Sequence, residues 1–203
     1  MKKLKMIAVM LTATLTMSAQ MEEGTWSLMP KVGFNAADIS GGKDVLDNRY
    51  GLVAGFELEY KVADWFGVSA GAFYEQEGWK VKEGDKNQEN DYITVPVMAK
   101  FYVWKGLSLN TGFQAGFMTK AKGDYDKSDM NKFELSVPAS ISYEFPFGLN
   151  LEIRYNVGVT DVLKNNPQWM KNEAPQWLSK WRGYEEKNNT RILQFTVGYK
   201  FAL

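Results

Sequence analysis

Apolar and polar residues alternate along most of this chain beyond its first twenty residues. In the segment 91–104, the odd-numbered positions from Ile93 to Val103 are all apolar or aromatic, whereas the even-numbered ones include Thr94 and Lys100. A period of two is typical of strands whose two faces meet different surroundings. Seven further segments show the same alternation: 25–34, 50–60, 66–75, 107–117, 133–144, 149–160 and 191–203. The pattern predicts an all-β fold with eight strands.

The connections between these segments alternate in length. Long polar loops are predicted at 35–48, 78–90, 120–131 and 161–189, and short turns near 62–64, 105–106 and 146–148. Long loops at one end and tight turns at the other are typical of an antiparallel up-and-down barrel. An immunoglobulin-like sandwich gives no reason for this alternation in length.

Alternation alone does not say which face points inward. The apolar face lies inside a soluble, lipocalin-like barrel and outside a membrane barrel. Three features favour the membrane barrel. The polar face carries charges of both signs and most strand glycines, which suits a narrow lumen. Aromatic residues concentrate near strand ends, as in interfacial girdles. Strands of about 10 residues cross a bilayer when tilted. We therefore predict an eight-stranded transmembrane β-barrel with long extracellular loops and short periplasmic turns.

The N-terminus has the pattern of a secretory signal peptide. Three lysines among the first five residues precede a mostly apolar stretch, residues 6–17, and then the small residues Ser18 and Ala19. That stretch is too short for a membrane-spanning helix. A buried first element is the alternative interpretation. The preferred one assigns residues 1–20 to a cleavable signal peptide and residues 21–203 to a barrel domain in the outer membrane of a diderm bacterium.

The composition excludes several classes of function. The chain has 24 basic and 24 acidic residues, no histidine and no cysteine. It has no basic stripe, so no nucleic-acid partner is expected, and it cannot form disulfides. Without histidine the common acid–base and nucleophile–base arrangements cannot form, so we predict a non-enzymatic protein. A carboxylate-only hydrolase built on Glu57 with Glu59 or Glu75 is the less favoured alternative.

The charged residues of the polar face are expected to pair inside the lumen, because unpaired charges in a narrow interior are costly. Lys100 is expected to meet Glu57, Glu59 or Glu152. The predicted lumenal charge network comprises Lys31, Glu57, Glu59, Glu75, Lys100, Glu134, Glu152, Arg154 and Lys200.

Prolines interrupt three of the predicted strands. Pro96 lies on the same face as Lys100, because the two are four residues apart. Proline cannot donate to a sheet ladder, and a closed barrel has no edge strand to accommodate it. Local breaks or bulges in the ladder are therefore expected at Pro96, and likewise at Pro30 and Pro138.

The last long loop, 161–189, is unusually rich in aromatic side chains. Exposed aromatic residues together with arginine are typical of binding hot spots. A lid over the barrel mouth, or packing at the outer-leaflet interface, would also place such residues there. The candidate binding residues are Trp169, Trp177, Trp181, Arg182 and Tyr184.

One loop has partial calcium-loop spacing. Asp124, Asp126 and Ser128 match the first three ligand positions, but Asp129 occupies the position of the turn glycine and Leu135 that of the closing glutamate. We predict neither a metal site nor a cofactor.

Several strand sequences together resemble one known family. YITVPVMAKFYV is similar to the fourth strand of the outer membrane protein β-barrel domain family, small eight-stranded barrels abundant in Bacteroidota. LNTGFQAGF, LEIRYNVGVTDV and LQFTVGYKF resemble its fifth, seventh and closing strands. The likeness covers residues 26–203. It implies location and shape more than activity, and a few relatives assist secretion systems.

These observations predict a non-enzymatic outer-membrane barrel with a structural, adhesive or ligand-binding role through its extracellular loops. The alternatives are a narrow pore for small solutes and an accessory component of a secretion or envelope-biogenesis system. The expected partners are outer-membrane lipid, an extracellular ligand or envelope protein, and the assembly machinery, which would read the C-terminal strand ending in Phe201 and Leu203.

Overall fold

The structure, a computed structural model, describes residues 22–39, 46–81, 87–122, 131–160 and 190–203. The predicted signal peptide lies outside these ranges and stays a prediction. Within them, no helix is long and apolar enough to cross a membrane.

The described chain forms one closed antiparallel barrel. Each strand pairs with its neighbours in sequence, and β1 closes the sheet by pairing with β2 on one side and with β8 and β9 on the other. Only Lys200 separates β8 from β9, so the two form a single interrupted strand. The strands are β1 Trp26–Ile39, β2 Leu46–Ala63, β3 Phe66–Val81, β4 Asn87–Trp104, β5 Leu107–Lys122, β6 Phe133–Glu144, β7 Leu149–Gly158, β8 Thr190–Tyr199 and β9 Phe201–Ala202. The predicted eight-stranded up-and-down barrel is confirmed.

The register of the strands determines how far they tilt. Following the pairing from Leu28 through all eight strands returns to β1 at Asp38, an offset of 10 residues (38 − 28). Such an offset tilts the strands by about 40° from the barrel axis. An eight-stranded barrel is narrow enough for its own side chains to fill the interior.

Burial shows which face points outward. Along β8, buried and exposed positions alternate strictly from Thr190 to Val197. The exposed positions are apolar on most strands, as at Val32 (62 %) and Phe113 (66 %), whereas lumenal Lys31 is 1 % exposed. A soluble, lipocalin-like barrel would bury the apolar face, so that alternative is wrong.

Aromatic pairs lie at both ends of the apolar outer surface. At the turn end, Trp26 packs against Tyr60 with ring centroids 4.9 Å apart. At the loop end, Phe117 and Phe133 lie 5.5 Å apart. Aromatic rings at these two levels suit the two membrane–water interfaces.

Three of the long loops are shorter than predicted, because the strands continue beyond the apolar band. β1 extends to Ile39 and β2 begins at Leu46, inside the predicted loop 35–48; β3, β4 and β5 likewise extend into the predicted loops 78–90 and 120–131. Backbone pairing does not require lipid-facing residues, so polar stretches can prolong the sheet above the membrane. β2 to β5 have 16 to 18 residues, whereas β6 to β8 have 10 to 12. The extracellular rim is therefore higher on one side.

The expected ladder break occurs at Pro96. Pairing between β3 and β4 stops after Ala70↔Val97 and resumes at Phe73↔Thr94. On its other side Pro96 stays in continuous register with β5. The missing donor therefore interrupts only one of the two ladders.

The other two prolines also coincide with interruptions. Between β5 and β6 the pairing skips Pro138, whose carbonyl accepts a hydrogen bond from the Thr111 hydroxyl at 3.1 Å. Opposite Pro30 the pairing of β1 passes from β9 to β8, where the last strand is interrupted at Lys200.

Two lumenal glycines of β5 provide a matched test of this packing. A Cβ at Gly112 would overlap the backbone carbonyl of Val97, whereas one at Gly116 would lie 3.5 Å or more from its nearest neighbours. We expect Gly112→Ala to destabilise the barrel by about 1–3 kcal/mol through overpacking, and Gly116→Ala to have little effect. Urea unfolding of the refolded barrel in lipid would measure both. Equal stability of the two variants would contradict the close approach at Gly112.

Candidate functional site

Charged side chains cross-link the periplasmic half of the lumen. Because side chains alternate between the two faces of a strand, these residues point into the lumen. They lie on β1, β2, β4, β6 and β7 and at the break between β8 and β9. We call this set the charge network: Lys31, Glu57, Glu59, Lys100, Tyr102, Glu144, Glu152, Arg154 and Lys200.

Glu57 is the centre of the network. Its carboxylate lies 2.9 Å from Lys31 Nζ, 2.6 Å from Lys100 Nζ and 3.6 Å from Arg154 Nη2. These three cations come from β1, β4 and β7, so a single carboxylate on β2 connects four strands. Glu57 is 1 % exposed, which means that neighbouring cations, rather than water, neutralise its charge.

Each cation also contacts a second carboxylate. Lys31 Nζ lies 2.7 Å from Glu152, and Arg154 Nη2 lies 2.9 Å from the other oxygen of Glu152. Lys100 Nζ donates to Glu59 at 2.9 Å. The resulting chain of alternating charges gives each of these buried ions at least two partners of opposite sign, as buried charges require.

The network ends at the periplasmic mouth. Lys200 lies 3.1 Å from Glu59, forms an ion pair with Glu144 and donates to the Tyr102 hydroxyl at 3.3 Å. The Tyr102 hydroxyl in turn donates to Glu59. Glu144 and Tyr102 were not among the predicted network residues, although alternation places both on the polar face.

Glu75 and Glu134 lie apart from the charge network, at the extracellular end of the lumen. Glu75 accepts a hydrogen bond from the Thr94 hydroxyl at 2.8 Å, and Glu134 accepts one from Thr190. Glu77 is buried at the same end of β3. Sequence reasoning missed Glu77 because it took the strand to end at Glu75.

Between these two charged regions lies an uncharged level. Phe73, 2 % exposed, packs against the glycine positions, because a Cβ at Gly55 or Gly71 would lie 2.6 Å from its ring. The Arg154 guanidinium lies 5.9 Å from the centre of the same ring. Beside it are buried amides with side-chain atoms that have no hydrogen-bond partner among the described residues: Asn35, Gln114, Asn156 and Gln194.

The described lumen is therefore filled by its own side chains. Seven members of the charge network, Lys31, Glu57, Glu59, Lys100, Glu152, Arg154 and Lys200, are at most 6 % exposed, so they contact one another rather than a continuous column of water. The arrangement cross-links strands, and the carboxylates of the charge network are all engaged by cations. No group of three or more acidic side chains in the described ranges is placed to hold a metal ion.

The loop candidates Trp169, Trp177, Trp181, Arg182 and Tyr184 lie outside the described residues, as do residues 124–129 of the partial calcium loop. Their roles stay predictions.

Comparison with known proteins gives a family and a fold. A family model described as outer membrane protein β-barrel domain matches residues 18–164. The chain is similar to the crystal structure of Ail, the attachment invasion locus protein of Yersinia pestis, with 14 % identity, a TM-score of 0.50, and 89 % of this chain and 100 % of that chain covered. It is also similar to Neisserial surface protein A, with 15 % identity, a TM-score of 0.51, and 88 % and 100 % covered. Identities this low show only that the fold is shared. A comparison with curated proteins found no match.

The charge network yields a test by removal of one cation. Lys100→Met would leave Glu57 and Glu59 short of a buried partner, and we expect a loss of about 3–5 kcal/mol in unfolding free energy. The control is Lys120→Met, since Lys120 is 59 % exposed and lies 3.7 Å from Asp91. It should cost ~1 kcal/mol or less. Unfolding in lipid vesicles would measure the free energy of both variants. Equal losses would contradict the role of Lys100 as a buried partner of Glu57 and Glu59.

Proposed function

This chain belongs to the outer membrane protein β-barrel domain family, and on that premise we propose that it is a non-conducting, non-enzymatic barrel that presents its extracellular loops for binding or adhesion. Its apolar outer surface contacts the outer-membrane lipid. The family and the fold support this location in the outer membrane.

The packed lumen is the observation that carries the proposal. Ion pairs centred on Glu57 occupy the periplasmic half, and Phe73 fills the level above them. A barrel packed in this way offers no route for solutes and no cleft for a substrate inside the membrane. This argues against the narrow pore, and it leaves the two ends of the barrel as the surfaces able to meet partners.

The sequence of the last loop supports recognition at the extracellular end. Three tryptophans, Trp169, Trp177 and Trp181, fall within 13 positions that also contain lysine and glutamate. Tryptophan and arginine contribute disproportionately to binding energy at protein interfaces. The barrel would then serve as a rigid mount, and the loop would supply the contacts.

Two further parts of the proposal concern how the protein reaches the membrane. We propose that the cleavable signal peptide directs export and that assembly machinery reads the C-terminal strand. Leu203 is 71 % exposed, and its N–H donates to the Trp26 carbonyl at 2.9 Å. The chain end thus lies beside the strand that closes the barrel. A role as an accessory of a secretion or envelope-biogenesis system would use the same surfaces, with a stable envelope partner detectable by crosslinking.

Conductance tests the closed lumen. We expect the purified barrel in a planar bilayer to show no reproducible conductance steps, because paired side chains fill its interior. A 16-stranded porin prepared in the same detergent serves as the positive control. Regular ion-conducting steps from barrels that pass a heat-modifiability gel as folded would contradict the proposal and favour the pore.

Shortening the last loop tests its role. We expect removal of residues 168–184 to abolish adhesion of protein-coated beads to host cells, or capture of extracellular ligand, while the boiled and unboiled forms still differ in gel mobility. A second variant keeps the loop length and changes only Trp169, Trp177 and Trp181 to serine. We expect it to abolish binding as well. If the shortened barrel instead loses its resistance to heat, the loop is a lid.

A further inference from the structure

A cavity opens at the periplasmic mouth, below the charge network. Its volume is about 860 Å³, and the turns β2–β3, β4–β5 and β6–β7 all contribute to its lining. Small-molecule sites commonly occupy about 300–1,000 Å³. The cavity lies at the opposite end of the barrel from the extracellular loops, so it is independent of the binding role proposed for them.

Polar groups held by the charge network form one boundary of the cavity. Tyr102, Glu144 and Lys200 all line it. The hydrogen bonds among these residues and Glu59 hold them in place without a ligand. The cavity therefore has a preorganised boundary that contains hydroxyl, ammonium and carboxylate groups.

Aromatic side chains form much of the remaining lining. Trp65, Trp104, Tyr143 and Phe145 contribute, and Phe145 packs edge-on against Tyr143 with centroids 4.8 Å apart. Trp65 stacks on Phe66 and Phe101 and so belongs in part to the outer aromatic rim. Trp104 is 66 % exposed and has no ring contact among the described residues. Its indole face and N–H are available to a ligand.

The charges that line the cavity balance. Three are cationic, Lys61, Lys105 and Lys200, and three are anionic, Glu22, Asp64 and Glu144. Such a lining does not select a phosphate or another strongly charged group. It instead offers donors and acceptors of both signs next to apolar ring faces.

Lys105 occupies an uncommon backbone conformation at the tip of the β4–β5 turn. Its φ is +23°, followed by Gly106 at +89°. Glycine or asparagine is the ordinary choice for such a turn. A residue held in an unfavourable backbone conformation is a feature common at functional sites, and here the residue lines the cavity.

We propose that this cavity binds a neutral, amide-bearing sugar chain on the periplasmic side of the outer membrane. Sugar rings present apolar C–H faces that pack on aromatic rings, whose π faces are negative. Their hydroxyl and amide groups both donate and accept hydrogen bonds, which matches the mixed polar boundary. A balanced charge set suits a neutral polymer better than an anionic one. The barrel would then bind partners at both ends, with the charge network between them.

A soluble oligomer of N-acetylglucosamine is the probe for this site. Titrated into the folded full-length barrel in detergent, it should bind saturably and change the tryptophan fluorescence. Trp104→Ala should weaken binding by about tenfold or more, the size of effect expected for a hot-spot aromatic residue. Lys105→Gly should preserve the turn, because glycine adopts a positive φ readily. It removes a side chain from the cavity lining and should therefore weaken binding several-fold. Trp104→Phe should retain part of the affinity.

The matched control is Phe113→Ala. Phe113 is 66 % exposed, as is Trp104, but it lies on the outer face of β5 and does not line the cavity, so its removal should leave affinity within about twofold. The proposal is overturned if wild-type protein shows no saturable binding at millimolar sugar, or if Trp104→Ala and Phe113→Ala behave alike. It is also overturned if a sulfated oligosaccharide binds more tightly and salt abolishes that binding.

The barrel shortened in the 161–189 loop should bind the sugar as the full chain does. Failure of the periplasmic site and failure of the loop-based function are therefore distinguishable. A heat-modifiability gel on every variant establishes that each is folded before its affinity is compared.

Discussion

A charge inside a narrow barrel is costly unless a neighbour neutralises it, because little water is present to do so. Glu57 shows the consequence most directly. Its carboxylate is 1 % exposed and is surrounded by Lys31, Lys100 and Arg154, which come from three other strands. Such a network is not in itself a large source of stability, since well-packed apolar residues could fill the same space. The network instead makes its members depend on one another, because removal of one partner leaves a buried charge with less compensation than it needs.

This dependence also explains where function can reside. In the described part of the lumen, paired ions and the Phe73 ring above them occupy the space that a partner would need. Outward-facing side chains are occupied by lipid along the apolar band. Only the two rims remain, and they differ chemically. The extracellular side has long loops and a sheet that rises on the β2–β5 side, whereas the periplasmic side has tight turns around an aromatic and polar cavity.

The sequence predicted the strands and their faces well, because alternation with a period of two directly reports a surface divided between lipid and lumen. The sequence pattern did not predict the strand ends, because alternation fades there although backbone pairing continues. Glu77 was missed for this reason. The pattern could not choose among Glu57, Glu59 and Glu152 as partners of Lys100. The choice among these partners depends on the 10-residue offset around the barrel. That offset belongs to the closed sheet and cannot be read from the sequence of any single strand. Ladder breaks at proline were predictable, since a missing N–H is a local chemical fact.

The charge network and the periplasmic cavity share residues at their boundary. Tyr102 and Lys200 bond to Glu59 on the lumenal side and line the cavity on the other. A group that ends a buried ion-pair chain is held in a fixed orientation, since moving it would expose or isolate the next charge. The same pairing that packs the periplasmic half of the lumen therefore gives the periplasmic mouth rigid polar groups. In this fold, a packed lumen and a preorganised surface at its end follow from one set of contacts.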